Sequence, residues 1–89
     1  MELDILVTLL KTDADLDDTW AFDGSKVIFY NNRKEEIGEA THDIDAFGYD
    51  TGYISITGCL CHDDYNGFED WLTAEQVYGR WIDYVMGEC

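Results

Sequence analysis

Leu3, Leu6, Val7 and Leu10 recur at the i, i+3, i+4, i+7 spacing of one helical face, while Asp4, Thr8 and Lys11 line the opposite side. The spacing predicts a short amphipathic helix, with Asp4 in its first turn and Lys11 in its last, where each suits the helix dipole. The period then changes. TWAF, KVIFY and EEIGEATHDID read as strands; an Asp23-Gly24 pair between the first two suits a tight hairpin turn, and Gly38 in the third marks a candidate bulge. After the glycine-containing loop DAFGYDTG, Ile54, Ile56, Gly58 and Leu60 alternate with Tyr53, Ser55, Thr57 and Cys59, giving a strand with one apolar and one mixed face. HDDYNGFED reads as an acidic loop, with a helical turn at FEDWL. Thr73 followed by Gln76 forms a capping box, and behind it Val77, Tyr78, Trp81, Tyr84 and Val85 share one face, with Gln76, Arg80 and Asp83 on the other.

The predicted order is helix, three- to four-stranded antiparallel sheet, helix. An α+β fold with both helices packed on one face of the sheet is the economical solution, because the single strongly apolar sheet face needs a cover. Residues 1–89 form one domain, with no internal repeat, no low-complexity tract and no proline-marked linker.

Composition changes the picture in one respect. Hydrophobic residues make up 46 % and aromatic residues 15 % of the chain, enough for a core, yet twenty acidic residues face five basic ones for a net charge of −15. Such self-repulsion destabilises a compact state and disfavours direct binding to nucleic acid, whose phosphates require basic stripes. A basic partner is favoured instead. The charge is uneven: residues 13–25 carry −5, residues 35–50 carry −6 and residues 63–70 carry −4, while residues 26–34 carry +3. That basic island, Lys26, Arg33 and Lys34, is read as local neutralisation of Asp23, Glu35 and Glu36 across the hairpin in preference to a contact with an acidic partner.

Metal and catalytic chemistry find little support. Asp13, Asp15 and Asp17 fit the first three ligand positions of an EF-hand loop, but Asp18 stands where the turn glycine belongs and Gly24 where the bidentate glutamate belongs. Cys59, Cys61 and His62 lack the spacing of a structural zinc site, and Cys89 adds a ligand only if the C-terminus folds back. An odd cysteine count without framework spacing fits a reduced compartment, and MELDILVTLLK has acids where a signal peptide needs a basic region. The expectation is a cytoplasmic protein of the host cell. Acidic surroundings raise a thiol pKa, and no phosphate loop, serine elbow or H-E-x-x-H motif is present, so no enzyme activity, cofactor or metal is expected.

Carboxylates at i and i+2 of an extended chain lie about 6.8 Å apart on one side, as Asp13, Asp15 and Asp17 or Asp43 and Asp45 would. A duplex carries one charge per ~1.7 Å of axis, so one row is roughly fourfold too sparse, while two or three rows brought together approach the density of nucleic acid. In size, charge and its mix of an aromatic core with acidic loops, the chain resembles the small acidic phage inhibitors that imitate DNA, the anti-CRISPR and antirestriction type. The resemblance is compositional and implies a stoichiometric inhibitor, active in evasion of host defence, that blocks DNA binding by a CRISPR effector complex through a protein–protein interface. The residues nominated to carry the interaction are Asp13, Asp15, Asp17, Asp18, Glu35, Glu36, Glu39, Asp43, Asp45, Asp50, Asp63, Asp64, Glu69 and Asp70, with Tyr49, Tyr53, Tyr65 and Phe68 as apolar anchors. The alternative is an immunity or antitoxin protein that neutralises a basic toxin or nuclease at a few anchors; a third reading is a divalent-cation binder.

Overall fold

The computed structural model describes residues 2–58 and 67–87. Helix α1 (Glu2–Lys11) buries Leu3, Leu6, Val7 and Leu10, the stripe that the spacing predicts. The chain leaves it through one 3-10 turn, Ala14–Leu16, capped by Asp13, and Leu16 drops into the core. Five strands follow as an antiparallel meander: β1 (Trp20–Phe22), β2 (Lys26–Tyr30), β3 (Glu36–Ile44), β4 (Asp50–Gly58) and β5 (Gly67–Leu72), each paired with its neighbours in chain order. Helix α2 (Ala74–Met86) closes the fold on the expected capping box, with the Thr73 hydroxyl accepting from the Gln76 backbone N–H and the Gln76 side-chain Oε1 accepting from the Thr73 backbone N–H. None of the described helices is long and apolar enough to cross a membrane.

The sheet thus has five strands rather than three or four, and the correction falls on FEDWL, which is strand and not a helical turn. Its register explains the misreading. Ile56 pairs with Glu69 and Ile54 with Leu72, so β5 holds one extra residue and Glu69 and Leu72 face the same side three positions apart. That spacing imitates a helix. Trp71 takes up the irregularity with a φ of 62°. A second slip sits where glycine predicted one: Phe29 pairs with Gly38 but Tyr30 with Glu36, leaving Ile37 as the extra residue.

One buried cluster joins both helices to a single sheet face. Val27, Phe29, Ala40, Ile54 and Ile56 supply the sheet side, and Leu3, Leu6, Leu10, Val77 and Trp81 the helix side. Trp81 is fully buried; its ring lies 4.6 Å from that of Phe29 and stacks on Tyr84 at 5.1 Å, and its Nε1 donates to the Thr19 hydroxyl at 3.0 Å. At the start of the chain, the Glu2 carboxylate accepts from the Ala74 N–H, an acid at the positive end of α2 that ties the first turns of the two helices together.

The meander has two ends. At one, the exit of the 3-10 turn meets the β2–β3 turn, where the Lys34 ammonium donates to the Asp18 carbonyl oxygen and the Tyr30 N–H to that of Thr19. At the other, β2 starts opposite Thr41 and β5 finishes opposite Ile54, while β3 and β4 run on to the Ile44–Asp50 pair. Residues 43–53 therefore form a two-stranded arm that projects past its neighbours.

Gly58 has a φ of 99°, and a Cβ built there would lie 2.4 Å from the Ile37 carbonyl oxygen and 2.6 Å from the Gly38 Cα. Gly79, within α2, has open space around it. We expect Gly58→Ala to destabilise the fold by about 2 kcal/mol or more and Gly79→Ala to stabilise it by about 0.5–1 kcal/mol, measured as opposite shifts in the urea midpoint.

Candidate functional site

The acidic side chains divide by what they do locally. Asp13, Asp23, Asp45 and Asp50 each accept the backbone N–H two residues on, from Asp15 (3.0 Å), Ser25 (2.9 Å), Phe47 (2.8 Å) and Gly52 (2.8 Å). This is the turn chemistry for which a short carboxylate suits a loop. At Asp23 the N–H groups of Ser25 and Lys26, with the Ser25 hydroxyl, hold the carboxyl below its ordinary pKa. Asp13 is half-buried and also takes the Tyr78 hydroxyl at 2.8 Å.

Several nominated residues are already engaged. Glu39 pairs with Lys26 at 3.0 Å across β2 and β3, which raises the lysine pKa, so Lys26 neutralises Glu39 as well as lying near Asp23. Glu69 faces α2 and receives a two-pronged bond from Arg80. Asp43 departs furthest from expectation. It is only 5 % exposed and cannot serve as a displayed charge; its carboxylate accepts from the Thr51 and Ser55 hydroxyls, each at 2.8 Å. Asp43 instead ties β3 to β4 at the root of the arm.

Most of the remaining nominated acids among the described residues are displayed at the two ends of the meander. Asp17, Asp18, Glu35 and Glu36 are exposed at the end where the 3-10 turn meets the β2–β3 turn, with Asp15 also exposed nearby in the chain. The Glu35 carboxylate there accepts from the Asn31 amide. A shallow cleft of about 330 Å³ opens at this end, lined by Asp17, Asp18, Tyr30, Asn31, Lys34 and Tyr84 among others. Asp45 and Asp50 lie on the arm, where Asp50 meets His42 at 3.1 Å. Asp70 is half-buried on β5 beside Trp71.

Of the nominated anchors, Tyr49 is 73 % and Tyr53 38 % exposed, and both belong to the arm. Phe68 pairs with Thr57 on β5. Asp63, Asp64 and Tyr65 lie outside the described residues, as do Cys59, Cys61, His62 and Cys89. The sequence reading passed over three exposed aromatic residues: Phe22, 39 % exposed at the end of β1, Phe47, 85 % exposed at the tip of the arm, and Trp71, 58 % exposed, whose ring meets that of Tyr53 at 5.3 Å. The signal for Phe47 was its position inside a polar, glycine-containing turn, where no core contact is within reach. Among the described residues no group of three His, Cys, Asp or Glu side chains is placed to hold a metal ion.

Comparison with family models, with curated proteins and with solved structures returns no significant match.

The Asp13–Tyr78 bond gives the site a pH signature. The bond to Asp13 raises the Tyr78 pKa above its ordinary value of 10.0. A raised folded-state pKa means that the stabilisation is complete below the unfolded value and disappears as pH rises through the folded one. Ultraviolet titration should show a tyrosine ionising above the ordinary value, a step absent in Tyr78→Phe, and that variant should lose the corresponding fall in stability at alkaline pH.

Proposed function

We propose that the chain is an acidic stoichiometric inhibitor that occupies the nucleic-acid groove of a basic protein. The observation that carries this reading is charge density. The described residues carry seventeen acidic and five basic side chains, a net twelve negative charges on a body whose longest dimension is 37 Å, one per about 3.1 Å. A duplex carries one per ~1.7 Å, and 37 Å is close to the ~34–36 Å of one helical turn. The shortfall of a single carboxylate row is reduced to less than twofold, which supports the reading: separate acidic stretches fold onto one small body, with Asp17, Asp18, Glu35 and Glu36 at one end and Asp45 and Asp50 at the other. Two of the five basic residues, Lys26 and Arg80, are held in intramolecular pairs, each neutralising one carboxylate, that of Glu39 and that of Glu69.

The target class is a nucleic-acid-binding enzyme, with a CRISPR effector complex as the particular partner implied by the compositional resemblance. Opposed fields accelerate encounter and make it sensitive to salt. Neutralisation of a basic toxin by an immunity-type interface differs in how binding responds to mutation, since it concentrates in a few anchors.

The test is retention of CRISPR effectors and restriction enzymes on the immobilised chain, with duplex DNA as competitor. A mimic releases its partner to DNA and weakens at least about tenfold between roughly 0.05 and 0.3 M salt. Successive Asp15→Asn, Asp17→Asn, Asp18→Asn and Glu36→Gln changes should then erode binding stepwise. Retention indifferent to both DNA and salt would sink the proposal.

A further inference from the structure

Charge alone does not account for the arm. Proteins that hold a duplex contact mostly phosphate and sugar, so a duplex decoy requires carboxylates and no displayed rings. Sites for single-stranded nucleic acid differ, because they combine a cationic groove with aromatic or guanidinium surfaces on which unstacked bases lie. A decoy for such a site has to offer flat rings between negative charges.

The arm has that composition. Asp45-Ala46-Phe47-Gly48-Tyr49-Asp50 reads acid, ring, ring, acid, with Phe47 85 % and Tyr49 73 % exposed. The backbone that carries the rings is fixed. The Asp45 carboxylate accepts from both the Phe47 N–H (2.8 Å) and the Tyr49 N–H (3.0 Å), the Asp45 N–H donates to the Tyr49 carbonyl oxygen (2.9 Å), and Gly48 supplies the positive φ of 88° that the turn requires. A turn held this firmly directs its rings into solvent through its own hydrogen bonds. At the base of the arm Trp71 repeats the pairing: it follows Asp70, and the β5 bulge leaves its ring largely exposed. Residues 43–53 contain three aspartates and neither lysine nor arginine, so nothing on the arm repels a cationic groove.

We infer that the arm presents Phe47 and Tyr49 as stand-ins for unstacked bases, and that it enters a site on a basic protein built to hold single-stranded nucleic acid. The inference rests on the mimic reading above and narrows its partner class.

Two displacement assays test it, both followed by fluorescence anisotropy at low salt: labelled oligothymidylate on an OB-fold single-strand-binding protein, and a labelled operator duplex on a helix-turn-helix repressor. The chain should displace the oligothymidylate at the lower concentration. Phe47→Ala and Tyr49→Ala should each weaken that displacement about tenfold, the contribution of one stacked base expressed as a ratio. Their effect on the duplex assay should stay within about twofold, and their thermal midpoints should match that of the parent, since both rings are exposed. Displacement of the duplex alone, or ring variants equal to the parent on oligothymidylate, would overturn the inference and leave the mimic reading standing. Displacement from neither protein would likewise overturn the inference, the mimic reading being decided by the retention assay above.

Discussion

Trp81 is the contact on which the rest of the structure depends. In a chain of 89 residues the core is only just large enough to hold a fold, and here it must also withstand a net charge of −15. Trp81 joins parts of the chain far apart in sequence: its ring meets Phe29 of β2 and Tyr84 of its own helix, and its Nε1 reaches Thr19 at the entrance to β1. Removing a buried ring of this size costs about 3–5 kcal/mol, a large share of the ~5–15 kcal/mol by which a domain is stable. Because the bulky apolar side chains concentrate on the face that Trp81 helps to cover, acids collect at the two ends and along the turns. Charge placement follows from core placement.

Part of the acidity is explained by turns. The chain has no proline, and four aspartates close tight turns by accepting the N–H two residues ahead. Asn31 does the same for Arg33 at 2.9 Å, without a charge. The turn geometry is therefore available to a neutral side chain, and hydrogen bonding alone does not require −15. Asp15, Asp17 and Glu36 remain exposed outside that scheme, and turn formation does not account for their charge.

Legibility in the sequence followed periodicity. α1 and the capped α2 each present an uninterrupted apolar stripe, and both are where the spacing predicts them. β5 was hidden because its bulge breaks the alternation of two and sets Glu69 and Leu72 on one side. Asp43 was hidden for a different reason. In HDID it reads as one more displayed carboxylate, whereas its partners are hydroxyls 8 and 12 residues further on, brought close only by the register of β3 on β4. Sequence locates charges well, but it does not say which of them a sheet will enclose.

Asp43 also bears on how the arm works. A buried carboxylate with two hydroxyl donors is a demanding arrangement, and an apolar side chain of similar volume fills space as well or better. What an apolar side chain lacks is direction: Asp43 grips Thr51 and Ser55, so β4 is fixed against β3 just behind the tip. Beyond that grip Asp45 fixes the turn that carries Phe47 and Tyr49, both largely exposed. A surface ordered before it meets a partner forfeits little entropy on binding. Two aspartates thus serve as struts, one buried and one at the surface, and their common effect is to fix the backbone that carries a pair of exposed aromatic rings.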